Sequence, residues 1–211
     1  MTATSPATLY RVAAVAGFGS AVVLLINAAK RAEVIPTSAV TQLVAPLAQL
    51  MAAALVTGLY FAAGRRTGTV GLVAFLVNVF ALSLLVGVEF VINLVFRELP
   101  QESIEALRGG PLGAALTMAS VLFLVGSLIF IATMARSREL PVIPLALYGV
   151  GAIPVALRAF VPEVALDIGL VLLAAGIAWL AAWLFQHYGR EDVVDPTKRT
   201  AMPAGTAGGR L

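Results

Sequence analysis

The sequence predicts an all-α protein, a polytopic six-helix transmembrane bundle with both termini cytoplasmic. Three observations carry that expectation. Six apolar runs, at 9–29, 41–63, 70–96, 112–135, 141–161 and 164–186, divide the chain, each close to the ~20 residues a helix needs to cross ~30 Å of hydrocarbon. The 211 residues are 60% apolar and only 12% charged, against about 25% charged in a soluble domain. Lys and Arg are also unevenly divided between alternate connections. The expected organisation is a short cytoplasmic N-terminus (1–8), one transmembrane domain (9–189) and a polar cytoplasmic tail (190–211) too poor in apolar residues to order itself.

The elements follow in order. The first run, Leu9 to Ala29, stops at Lys30-Arg31-Ala32-Glu33 and Pro36. It is longer than the apolar core of about 7–15 residues in a cleaved signal, so it reads as a retained span. The second starts near Val40 and ends at Gly64-Arg65-Arg66, with Pro46 inside it removing a backbone donor and able to bend it. The third runs to Phe96 and breaks at Arg97-Glu98-Leu99-Pro100. Residues 97–111 form the longest loop, in which Gln101–Arg108 can make a short interfacial helix before Gly109-Gly110-Pro111 resets the chain. The fourth run ends at Arg136-Ser137-Arg138-Glu139. The fifth opens with Pro141, which is tolerated in a first turn where the missing N–H has no partner anyway. Phe160-Val161-Pro162-Glu163 turns the chain into the sixth, which ends at Gln186-His187-Tyr188-Gly189-Arg190. The second and fourth runs end in similar text, Gly58-Leu59-Tyr60-Phe61 and Ser127-Leu128-Ile129-Phe130, which would suit a faint duplicated hairpin.

Orientation comes from the positive-inside rule. With six spans, one side holds Arg11, Arg65, Arg66, Arg136, Arg138, Arg190, Lys198, Arg199 and Arg210, nine in all, and the other holds Lys30, Arg31, Arg97, Arg108 and Arg158, five in all. The nine-residue side is expected to be cytoplasmic. Tyr60, Phe61, Trp179, Trp183 and Tyr188 fall towards it and suit an interfacial aromatic belt.

Composition also excludes chemistry. There is no cysteine, which removes disulfides, thiolate catalysis and Cys-based metal sites. The single histidine, His187, cannot supply a two-His site. It reads as a helix-end residue near the headgroups. No phosphate-cradling loop, zinc-protease motif, nucleophile elbow or dinucleotide fingerprint occurs. The expectations are therefore no enzyme activity, no cofactor, no metal and no nucleic acid.

Polar residues inside spans are costly and should face the bundle interior. Asn78, Leu82, Leu85, Glu89 and Asn93 lie on one stripe of the third run, and Glu89 is the only acid well inside a span. Gln42 and Gln49 share a face of the second run. Asn27 ends the first, Arg158 ends the fifth four residues after Pro154, and Asp167 opens the sixth. Applying the orientation brings these groups to the outer half, above nearly pure aliphatic inner halves in which Tyr148 and Thr133 are the exceptions. The functional reading is an outward-open polar pocket lined by Asn27, Gln49, Glu89, Asn93, Arg158 and Asp167. The structural reading is interhelical glue, a Glu89–Arg158 pair with amide hydrogen bonds of ~1 kcal/mol or less each. Asp167 alone also reads as a first-turn acid favoured by the helix dipole.

Thr8-Leu9-Tyr10-Arg11-Val12-Ala13-Ala14, Gly126-Ser127-Leu128-Ile129-Phe130 with Arg136-Ser137 and Leu140-Pro141, Leu145-Ala146-Leu147-Tyr148-Gly149-Val150-Gly151 and Gly176-Ile177-Ala178-Trp179-Leu180 carry a resemblance. Over nearly all of 8–188 the chain resembles a family of six-helix bacterial and archaeal integral membrane proteins catalogued as a domain of unknown function. The resemblance implies a six-helix bundle and no assigned activity. The expected setting is a bacterial plasma membrane, with the lipid bilayer as partner and a further copy or another membrane protein as possible neighbours. The expected role is binding or translocating a small solute or lipid, the alternative being a structural or regulatory subunit without a ligand.

Overall fold

The computed structural model describes residues 6–189, so the expected disorder of 190–211 and residues 1–5 lie outside the described residues. Eight α-helices form: α1 (Pro6–Arg31), α2 (Ala39–Val44), α3 (Leu47–Ala62), α4 (Gly68–Phe90), α5 (Gln101–Arg108), α6 (Pro111–Ser137), α7 (Val142–Ala156) and α8 (Glu163–Tyr188). No strand occurs among the described residues. Five segments are long and apolar enough to cross a membrane: Pro6–Arg31, Ala39–Ala62, Gly68–Glu98, Pro111–Ser137 and Glu163–Tyr188.

Six helices close a ring. α1 packs on α8, α8 on α7, α7 on α6, α6 on α4, α4 on α3, and α3 returns to α1 while also touching α8. Small residues let the backbones approach closely. A Cβ at Gly151 of α7 would lie 2.4 Å from the Leu173 nitrogen of α8, and one at Gly176 of α8 would lie 2.6 Å from the Tyr148 nitrogen of α7. At Gly58 a Cβ would meet Ala13 and Leu184, and at Gly17 it would meet Ala181 and Leu55, which sets α3 and α8 against α1. The outside of the ring is apolar: Val12, Val15, Leu76, Phe80, Val121 and Val171 are all exposed.

Three local departures from regular helix follow from particular residues. The second apolar run is not one helix. Pro46 cannot donate to the preceding turn, α2 ends at Val44, and α3 restarts at Leu47. Ser38 caps α2 through a reciprocal exchange with Thr41. Beyond Phe90, α4 widens into a π turn at Val91–Val95 and then tightens into a 3₁₀ turn at Phe96–Glu98. The fifth run is shorter than its apolar text suggested. α7 stops at Ala156, two residues after Pro154, so Arg158 stands in the turn beyond the helix rather than at its end. Its 15 residues measure about 22 Å, short of a ~30 Å hydrocarbon core. A short helix does form at 101–108, α5.

At the end of the ring holding the N-terminus of α1, the Arg11 side chain donates to the Gly189 carbonyl, and Tyr10 meets Tyr188 with ring centroids 5.2 Å apart. Arg66 pairs with Glu139 there. One member of the expected aromatic belt is misplaced: Tyr60 is buried and stacked on Phe75 at 4.4 Å. Trp179 does face outward.

Candidate functional site

The ring encloses a cavity of about 120 Å³. It begins at a polar rim, at the end of the ring away from the N-terminus of α1, and reaches mid-depth at Ala52, Phe123, Tyr148 and Ile177. All six ring helices contribute to its wall. Leu24, Leu82, Leu85, Leu166, Leu170 and Leu173 make that wall mainly apolar. Below the floor the ring is filled by Leu55, Leu59, Leu145, Leu180, Leu184 and Met134, each at most 2% exposed.

The rim is a chain of charge-assisted contacts. Arg158 donates to Glu89 Oε1 at 2.9 Å. Asn93 donates its amide to the other oxygen, Glu89 Oε2, at 2.9 Å and to the Glu89 carbonyl at 3.0 Å. Its own Oδ1 accepts from Lys30 Nζ at 2.8 Å. The result is a continuous path Arg158–Glu89–Asn93–Lys30 that joins the α7–α8 turn, α4, the π turn and α1. The Glu89 and Arg158 side chains keep only 15% and 23% of their exposure. In such partly dehydrated surroundings an unpaired charge would be costly, and the bidentate use of the Glu89 carboxylate answers that cost. The π turn belongs to this construction, because Asn93, the residue that joins Glu89 to Lys30, lies within it.

Five of the six residues singled out in the sequence line this cavity: Asn27, Gln49, Glu89, Asn93 and Arg158. Asp167 does not, which corrects the expected set. It accepts from Arg31 Nε at 3.2 Å and fronts a shallow apolar groove between α1 and α8. Its place in the first turns of α8 aims it back at the C-terminal end of α1, where Arg31 also comes within 3.8 Å of Glu163. The five lining residues differ in what they have left to offer. The Gln49 amide is satisfied when its nitrogen faces the carbonyls of Pro46 and Ala45, 3.2 and 3.3 Å away, so it stitches the α2–α3 break. Asn27 is buried, and its Oδ1 has no partner.

Sequence reasoning missed Lys30 and Arg31, which stood as stop signals for the first run, yet both line the cavity. A long cationic side chain at a helix end can lay its stem along apolar surface and carry its head elsewhere. Here Lys30 reaches across to Asn93. Also missed were Ser20 and Ser127, which join the already noted Asn78 and Tyr148 in a polar layer at mid-depth. Ser20 donates to the Ala48 carbonyl at 2.8 Å, bridging α1 and α3. Ser127 donates to Asn78 Oδ1 at 3.2 Å, both side chains being fully buried between α4 and α6. The Tyr148 phenol interacts with both of them. Thr133, by contrast, is satisfied by carbonyls of its own helix.

Among the described residues no cluster of three or more His, Cys, Asp or Glu side chains could hold a metal ion. His187 stacks on Trp183 at 4.9 Å and meets the Trp183 carbonyl through Nδ1, far along α8 from the cavity rim. No family model, curated protein or solved structure matches the chain.

Proposed function

We propose that this chain is an integral membrane protein of a bacterial plasma membrane that binds a small solute or lipid in a pocket opening to the outer side. The observation that carries the reading is the cavity itself: enclosed by six helices, mainly apolar within and charged at one end only. Ligand sites are commonly mostly apolar concavities with a few convergent polar groups. In this reading all six apolar helices span, α7 included, its 15 residues being extended by Pro141 and the Leu157–Phe160 turn. Both termini are cytoplasmic. Counted over the sequence, nine Lys and Arg fall on the inner side of this topology and five on the rim side, and the two short inner connections carry four of the nine, Arg65, Arg66, Arg136 and Arg138. That split supports the orientation. The layout also suits the six-helix family of unknown function that the sequence resembles, which adds no activity.

The aliphatic plug beneath the floor favours binding, sensing or lipid handling over a continuous pore, which would need polar lining through both halves. A transporter that rocks between two states is compatible with the same pocket. A second reading, a structural subunit with no ligand, is favoured by one observation: both carboxylate oxygens of Glu89 are already taken by protein donors.

Two experiments test the proposal. Single cysteines at Thr67 and Ser137 should resist a membrane-impermeant thiol reagent outside intact cells, while one at Ile104 should label. The reverse pattern would overturn the orientation. A thermal-shift screen of small solutes and lipids on the purified protein should give hits that disappear in Ala52→Leu, which fills the cavity floor. An absence of hits, with Ala52→Leu at least as stable as the parent, would favour the structural subunit.

A further inference from the structure

The chemistry of the ligand can be narrowed from the charge left over at the rim, a deepening that rests on the pocket reading above. The cavity wall carries three cations, Lys30, Arg31 and Arg158, and one carboxylate, Glu89. Arg158 is paired with Glu89, and Arg31 with Asp167 behind the wall. Lys30 hydrogen-bonds only a neutral group, Asn93 Oδ1, and among the described residues no carboxylate lies within 4.0 Å of its ammonium, the Glu89 carboxylate and the Arg97 and Arg31 guanidiniums acting on it at longer range. An ammonium has three donors, so two remain for a ligand. The wall therefore holds one uncompensated positive charge. One helical turn back along α1, on the same cavity face, Asn27 holds a buried amide oxygen with no partner. Everything deeper is apolar apart from the Ser20 and Tyr148 hydroxyls and the Gln49 amide.

We propose that the cavity takes a small organic monoanion, a monocarboxylate with a compact apolar body. Its carboxylate sits against Lys30, and its body lies among Leu82, Leu85, Leu170 and Leu173. A hydroxyl beside the carboxylate, or a water held by it, supplies the donor that Asn27 Oδ1 lacks. A single negative charge is specified because both arginines on the cavity wall, Arg31 and Arg158, are already committed to carboxylates, which leaves no guanidinium fork there for a phosphate dianion. A cationic ligand is disfavoured because Glu89, the only acid on the wall, has both oxygens occupied. Size is bounded too. The volume of about 120 Å³ is comparable with the ~150 Å³ engineered cavity that admits benzene, so a body of about six to nine non-hydrogen atoms fits. A long acyl chain would run into the floor at Ala52 and Ile177.

The test uses the purified full-length protein in detergent with probes matched in shape: short monocarboxylates from acetate to benzoate, then benzamide, benzylamine and hexadecanoate. At least one short monocarboxylate, benzoate being the best fit in size, should raise the melting temperature by several degrees at saturating concentration. Benzamide and benzylamine should not. Lys30→Gln should weaken that binding by about tenfold or more, the scale of one charge-assisted hydrogen bond, whereas Lys30→Arg should retain it. Equal response to benzamide, or affinity unchanged in Lys30→Gln while both variants melt cooperatively, would overturn the charge assignment. Hexadecanoate binding as tightly as benzoate would overturn the size limit. A benzamide or benzylamine response that Ala52→Leu abolishes would leave the pocket standing and refute only the monoanion. No response from any probe refutes the monoanion, and the pocket falls with it if the wider screen is also silent.

Discussion

Gly151→Leu should abolish the folded protein, and Gly151→Ala should already lower its melting temperature clearly. The Cβ of even an alanine would lie 2.4 Å from the Leu173 nitrogen, 2.7 Å from the Gly169 carbonyl oxygen and 2.8 Å from the Leu173 Cα. These are backbone atoms of α8, so no rotamer change relieves the contact and the two helices must part. Overpacking a well-packed core costs about 1–3 kcal/mol and occasionally more, and the backbone obstruction puts Gly151→Ala at the upper end. Gly176→Ala should behave alike, its Cβ meeting the Tyr148 nitrogen and the Pro144 carbonyl oxygen at 2.6 and 2.9 Å. Gly87 in α4 is the control. A Cβ there meets nothing within 4 Å, and Gly87→Ala should be neutral or stabilising by up to about 1 kcal/mol from helix propensity. Detergent thermal melts of the three alanine variants decide the matter. Equal melting temperatures for all three would refute backbone contact between α7 and α8.

Glu89→Ala and Arg158→Ala should each cost about 2–3 kcal/mol, less than the ~3–5 kcal/mol of breaking a fully buried pair because the rim is partly wet. Each leaves a charge in poor surroundings: Arg158 without its carboxylate, or Glu89 with only Asn93. Glu89→Ala also takes the carboxylate acceptor from the Asn93 amide, leaving it the residue-89 carbonyl, and leaves Lys30, Arg31 and Arg158 on a wall with no acid. The double variant should lose less than the sum of the singles, by about 1–2 kcal/mol of coupling. Additivity in a double-mutant cycle would mean that the 2.9 Å contact holds nothing together.

Much of this arrangement was legible in the sequence because long apolar helices make polar residues conspicuous. In a run of Val and Leu, Glu89 has few alternatives to an inward face, and helical spacing carried Asn93 with it. Arg158 was matched to Glu89 by depth alone, and the two are bonded. What escaped had physical reasons. Asp167 and Arg31 are neighbours in space but not in the sequence, and a charge at a helix end looks the same whether it faces water, a neighbouring helix or a cavity. Lys30 ends an apolar run as stop signals do, and only the three-dimensional closeness of α1 to the π turn shows where its flexible stem leads. The π turn itself has no sequence signature. The Pro46 break was foreseen as a bend, yet the turning of the Gln49 amide to the Ala45 and Pro46 carbonyls depends on side-chain geometry that spacing does not encode. Tyr60 matched a belt residue in composition and position but found a ring, Phe75, to stack on.

The most direct test of an outward cavity sealed below uses the absence of native cysteine and two positions on α3. Gln49 lines the cavity, and Leu55, 1% exposed, belongs to the plug beneath it. Six residues separate them, about 9 Å along the axis. In Gln49→Cys, a small anionic methanethiosulfonate should label the thiol both in purified protein and from outside intact cells. In Leu55→Cys it should label neither way, while both variants melt cooperatively. A Gln49→Cys thiol that stays unreactive, or a Leu55→Cys thiol that reacts as fast as Gln49→Cys, would contradict a closed-bottomed pocket open to the outer side.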